Sequence, residues 1–116
     1  MGEPVFPTRS LSLPPRELLA QGRARLAKVF GARLHGVLLY GSHARGDAIA
    51  DSDVDLMVVL NGPLNLGEDL RTIIETLYPL QLEIDNPIHV RPASRVNFEA
   101  GEFAIYRNAK REGIFL

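Results

Sequence analysis

Two acidic residues one position apart, Asp53 and Asp55, open the apolar run Leu56-Met57-Val58-Val59-Leu60. On a β-strand, residues two apart share a face, so this spacing predicts two carboxylates projecting together, roughly 6–7 Å apart at Cα. Like charges so placed repel unless a cation lies between them. Hard oxygen donors favour magnesium or manganese over zinc. A second feature precedes this pair: Gly41-Ser42, at the end of the apolar run Val37 to Tyr40, with ten residues between Ser42 and Asp53. Gly41 allows a tight turn and close backbone approach to a ligand. Ser42 is a good helix cap, which would leave the N–H groups after it to receive a phosphate. Arg45, about one helical turn after Ser42, has two readings. Its fixed fork of donors suits a nucleotide phosphate, or it pairs with Asp47 or Asp51. Those two aspartates read as loop carboxylates that cap turns, and His43 as a surface residue of the loop, outside the site.

The surrounding elements must aim these groups. Strands are expected over 34–40 and 53–60. The second is apolar on both faces and therefore central, with its polar end opening beside Gly41-Ser42, where ligands gather in α/β sheets. A helix over 15–32 starts at Pro14-Pro15 and carries the stripe Leu18, Leu19, Gly22, Leu26, Val29 and Phe30. Asn65 with Glu68 resembles a capping box. It opens a helix over 65–78 whose stripe is Leu66, Leu70, Ile73, Ile74 and Leu77, closed by Tyr78-Pro79. Residues 80–85 read as a third strand with Gln81, Glu83 and Asp85 on one side. Asp85-Asn86-Pro87 is a turn and Ile88 to Val90 a strand or extended return. Ser94 to Ala100 is a loop or short helix, and 102–112 a helix ended by Gly113. The class is α/β: a small sandwich with a mixed sheet packed against helices.

With 116 residues, the chain suits one domain. Residues 1–13 are expected to form a loose tail, broken by Pro4 and Pro7, before a domain over 14–116. A net charge of −1 gives no overall basic footprint, which counts against nucleic-acid work by this chain alone. There is no cysteine, hence no disulfide framework or thiolate zinc site. No apolar run approaches the length of a membrane helix. The start lacks the basic and apolar regions of a signal peptide, so a cytoplasmic protein is expected.

Gly41-Ser42, ten residues, then Asp53-x-Asp55 between two apolar strands is similar to the signature of the DNA polymerase β-like nucleotidyltransferase superfamily. Ala44-Arg45-Gly46 and the small size resemble its minimal nucleotidyltransferase (MNT) branch, over most of the chain from about Leu18 to Ile114. The resemblance implies metal-dependent nucleotidyl transfer from ATP with one or two Mg²⁺ ions, or Mn²⁺. Asp53, Asp55 and a third carboxylate from a neighbouring strand would hold the metal, and Gly41, Ser42 and Arg45 the phosphates. Glu83 is the expected third acid, with Asp85 as the alternative. The resemblance also implies a partner protein, a HEPN-domain toxin, to which AMP is added at a hydroxyl. Two other readings stay open: transfer to a small molecule such as an aminoglycoside, and a non-catalytic protein that neutralises a toxin by contact.

Overall fold

The chain is seen here as a computed structural model that describes residues 16–49 and 51–116. The expected tail and the Pro14-Pro15 helix start lie outside the described residues. Strand β2, Val54–Leu60, is, apart from Asp55, built from apolar residues that are buried on both faces, as only an interior strand can be. It pairs antiparallel with β1, Leu34–Tyr40, and parallel with β3, Ile88–Ser94. A two-residue strand β4, Ile114–Phe115, pairs antiparallel with β1, giving the order β3-β2-β1-β4.

Alternation along β1 and β2 divides the core in two. Val37, Leu39, Val54, Leu56, Val58 and Leu60 pack against the helices α1, Arg16–Phe30, and α3, Leu66–Gln81. Leu38, Met57 and Val59 face the other way, towards α4, Arg95–Ala100, and α5, Ala104–Glu112. Each boundary has a local cause. Asn65 Oδ1 accepts from the Glu68 N–H at 3.3 Å and starts α3. Ser94 Oγ accepts from the Asn97 N–H at 3.2 Å and starts α4, which Gly101 ends at a φ of 65°. The Arg33 guanidinium donates to both oxygens of buried Asp69, at 3.0 and 2.9 Å, and ties the turn before β1 to the start of α3.

The expected third strand over 80–85 does not form. Helix α3 runs through Tyr78-Pro79 to Gln81. Its apolar spacing extends one step further, to Leu80, and buries that residue with Ile73 and Leu77. Pro79 lies on the exposed side, so its missing N–H costs one peripheral hydrogen bond and no packing. The strand beside β2 is instead the full 88–94 segment, of which only 88–90 reads as extended in the sequence. Pro92 is compatible with it because β3 is an edge strand. Helix α3 is therefore the crossover of a parallel β-α-β unit, and the turn after it is laced by Gln81. That side chain donates to the Asn86 carbonyl at 2.9 Å and accepts from the Ile88 N–H at 2.7 Å.

None of the helices among the described residues is long and apolar enough to cross a membrane. Met57, fully buried at the middle of β2, tests the two-sided core. Met57→Ala should lower stability by about 2–5 kcal/mol, read as an earlier urea midpoint with an unchanged slope.

Candidate active site

Asp55 stands in register with Tyr40 of β1 on one side and His89 of β3 on the other. Paired positions on adjacent strands share a face, so the three side chains form a row across the sheet. The row lies on the α4 and α5 face, because Val54 and Leu56 point into the other core layer. Asp53 precedes β2 by one residue, and its Oδ2 is 3.2 Å from His89 Nε2. An open cleft of about 590 Å³ takes in Tyr40, Asp55, His89, Arg91 and Ile105. A larger groove of about 690 Å³ lies between α1 and α3 and carries none of these groups.

Gly41 ends β1 with φ 76° and ψ −154°, a conformation reserved for glycine. Space demands glycine as well, since a Cβ there would overlap Asp55 Oδ2. The turn continues into a single helical turn, α2, Ser42–Arg45. Ser42 is its first residue, not its cap. Gly41 occupies the cap position, and its carbonyl accepts from the Ala44 and Arg45 N–H groups at 3.1 and 3.0 Å. Backbone donors for a ligand must then come from earlier in the turn, at Ser42 and His43.

His43 is not a surface residue. It is buried, and its Nε2 lies 3.0 Å from the Ser52 carbonyl. A carbonyl only accepts, so Nε2 carries the proton. Asn86 Nδ2 donates to the same carbonyl at 2.9 Å. Two donors from separate segments thus fix the peptide that leads into Asp53. The Val54 N–H, donating to the Pro87 carbonyl at 2.8 Å, fixes the peptide after it. His43 Nδ1 is buried without a hydrogen-bond partner among the described residues. The sequence marks His43 and Asn86 only as polar residues near turns. Their shared acceptor depends on tertiary proximity, which no local pattern encodes.

Burial pushes the Asp55 carboxyl above its ordinary range; the nearby Asp53 charge adds to this, while His89, His43 and Arg45 oppose it. Tyr40 is likewise raised by burial, against a hydrogen bond with Arg91. Arg45 is exposed and ion-paired with Asp47 at 3.2 Å and with Glu112 at 3.1 Å, which links α2 to the end of α5. Of the two aspartates weighed as its partners, Asp47 is the one in contact. Neither Glu83 nor Asp85 lies on a strand beside β2. Both are exposed in the turn after α3, where the Glu83 N–H donates to the Leu80 carbonyl. Strand β3, the neighbour of β2 that follows this turn, has no carboxylate, and His89 stands at the Asp55 register.

Two carboxylates, one of them half-buried and crowded by the other's charge, make a donor set that fits a divalent cation. Among the described residues no three His, Asp or Glu side chains already stand as a ligating group. The protein's oxygen donors here are Asp53 and Asp55, and phosphate oxygens of a nucleotide would complete the shell.

Residues 23–116 match the model of the nucleotidyltransferase domain family, and the chain belongs to that family. It is similar to a Methanocaldococcus jannaschii protein named "Putative protein adenylyltransferase MJ0141", with 29% identity over 84 residues, 71% of this chain and 85% of that one. Its fold is similar to a crystal structure of a "putative nucleotidyltransferase" from Sulfolobus solfataricus. That match has a TM-score of 0.52 at 18% identity and covers 86% of this chain and 73% of the other. The small nucleotidyltransferase fold expected from the motif is the fold observed.

Two outcomes follow for the apo protein. A carboxyl raised in the folded state opposes folding once it ionises. This destabilisation is absent below the unfolded value near 3.9 and sets in as the pH rises towards the folded value. Asp55→Asn should therefore raise Tm by about 1–4 °C at pH 7, with the gap closing in acid, as followed by calorimetry across pH. His43→Leu removes one of the two donors to the Ser52 carbonyl and should cost about 1 kcal/mol or more in urea unfolding. His43→Gln, which keeps a donor, should recover part of it.

Proposed function

We propose that this nucleotidyltransferase moves AMP from ATP to a hydroxyl of a partner protein, and that the partner is a HEPN-domain toxin for which this chain is the antitoxin. The observation that carries the transfer chemistry is Asp55 lining an open cleft and lying against the bare Cα of Gly41, with Asp53 two residues before it. The protein-directed step is supported by the adenylyltransferase name of the archaeal relative, and the toxin partner by the resemblance to MNT proteins.

In the reaction the acceptor hydroxyl oxygen bonds to the α-phosphorus of ATP. The bond from that phosphorus to the α,β-bridging oxygen breaks, pyrophosphate leaves, and the hydroxyl proton passes to solvent. Ser42 and the N–H groups of Ser42 and His43 would hold the β- and γ-phosphates against the turn, where Gly41 leaves room. Arg45 would exchange its ion pairs with Asp47 and Glu112 for a phosphate contact, a change of modest cost because pairs at the surface contribute little. Asp53 and Asp55 would hold Mg²⁺, which when bound neutralises triphosphate charge and polarises the phosphoryl group. The chain's own share of catalysis is then positioning: the peptides on both sides of Asp53 are fixed by hydrogen bonds before substrate arrives.

The test is co-expression of a HEPN protein, taken from a gene adjacent to this chain's own, with the parent and with Asp53→Asn. An AMP-sized mass gain on the HEPN protein and loss of its RNase activity, both with the parent alone, are expected. Equal neutralisation by Asp53→Asn with no mass gain would replace transfer by inhibition through contact. If no HEPN gene is adjacent and labelled AMP appears on a small hydroxylated acceptor, the acceptor assignment is wrong and the small-molecule reading replaces it.

A further inference from the structure

We propose that Arg91 selects the acceptor, by binding a carboxylate that lies about two residues from the acceptor hydroxyl. The inference rests on the protein-directed transfer read above and names the kind of segment that the cleft takes. Strand β3 places Arg91 opposite Met57, two residues in from His89 and on the same face. It is therefore one row inside Tyr40, Asp55 and His89, roughly 6–7 Å along the sheet. The Gly41 turn lies on the other side of that row, one residue beyond Tyr40. Arg91 is exposed and lines the open cleft together with Ile88, Val90 and Ile105.

The charge of Arg91 is left unanswered. Arg33 pairs with Asp69, Arg45 with Asp47 and Glu112, and Arg95 with Glu99. Arg91 meets no carboxylate among the described residues and is engaged instead with the Tyr40 hydroxyl. A guanidinium only donates, so the phenol oxygen accepts this bond and its own O–H remains to be given. Burial keeps that proton on the phenol. Two neighbouring donors, one of them charged, thus stand at a wall whose other residues are aliphatic. A charge-assisted hydrogen bond gains strength in such surroundings.

The nucleotide does not supply the matching anion. Its phosphates would sit at the Gly41 turn, across the row from Arg91, and its nucleoside carries no charge. The group that answers Arg91 is then on the acceptor. A hydroxyl reacting beside Asp55 and an anion at Arg91 are separated by about the rise of two extended residues. In an extended segment, residues two apart also face the same way. An aspartate or glutamate two positions from the hydroxyl residue therefore fits both the distance and the direction.

The experiment measures binding of two short labelled peptides to the full chain with α,β-methylene ATP, which cannot release pyrophosphate. Mg²⁺ is present so that Asp53 and Asp55 do not repel the peptide. The peptides differ only at the positions two before and two after a central tyrosine, glutamate in one and glutamine in the other. The parent should bind the glutamate peptide about tenfold more tightly. That preference should vanish in Arg91→Met, persist in part in Arg91→Lys and shrink as salt is raised. Circular dichroism checks that both variants are folded. Equal or undetectable binding of the two peptides by the parent would overturn the proposal, as would a preference unchanged in Arg91→Met. Weaker binding of the ATP analogue by Arg91→Met, with the peptide preference intact, would assign Arg91 to the nucleotide and overturn it too. Transfer is scored apart, by mass, with ATP in place of the analogue. A preference that depends on Arg91 while neither peptide nor HEPN protein gains AMP would sink the transfer reading and leave the anion-binding arginine standing.

Discussion

A charged carboxylate held half-buried over the bare Cα of Gly41 is the constraint on which this structure turns. Asp55 is there at a cost: its surroundings and Asp53 both disfavour its ionised form. The fold tolerates that cost because the same strand, β2, is buried on both faces from Leu56 to Leu60. Deep apolar packing fixes the strand along its length, and its unfavourable end inherits that position. Gly41 completes the arrangement from the neighbouring strand by presenting no side chain and a backbone angle closed to other residues.

The features that the sequence makes legible are those with local causes. Helices α1 and α3 follow their apolar spacing, α3 with its Asn65 cap, and β1 and β2 follow their runs of aliphatic residues. Gly41 and Asp55 meet, as the motif implies, because antiparallel pairing of β1 with β2 sets Tyr40 against Asp55 and brings the glycine that follows Tyr40 over the carboxylate. Residues 80–85 mislead because period-two alternation and period-3.6 spacing agree for so short a segment. Leu80 satisfies both patterns, and burial with Ile73 and Leu77 decides for the helix. The error passes directly to the site. Once 80–85 is not a strand, Glu83 loses its register with Asp53 and Asp55, and the position beside them falls to His89, a residue that reads alone as part of an extended return.

His43 and Asn86 carry a different lesson. Each looks like an ordinary polar residue near a turn, yet both donate to one carbonyl, that of Ser52. Their segments lie far apart in the chain and meet because parallel pairing aligns the starts of β2 and β3, while antiparallel pairing brings the end of β1 to the start of β2. The site is thus braced at its entrance by hydrogen bonds and at its base by packing. The brace acts on the backbone and leaves both carboxylate heads unencumbered by it.

Strand β3 has one further consequence. It is the outer edge of the sheet on the side of the catalytic cleft, and such an edge ordinarily invites another chain to add a strand. Pro92 contributes no N–H, and the exposed His89 and Arg91 place bulky polar groups along the same segment. Sheet extension is therefore disfavoured here. In the proposed reaction a partner protein would therefore approach over the open face, side chain first, towards Asp53 and Asp55.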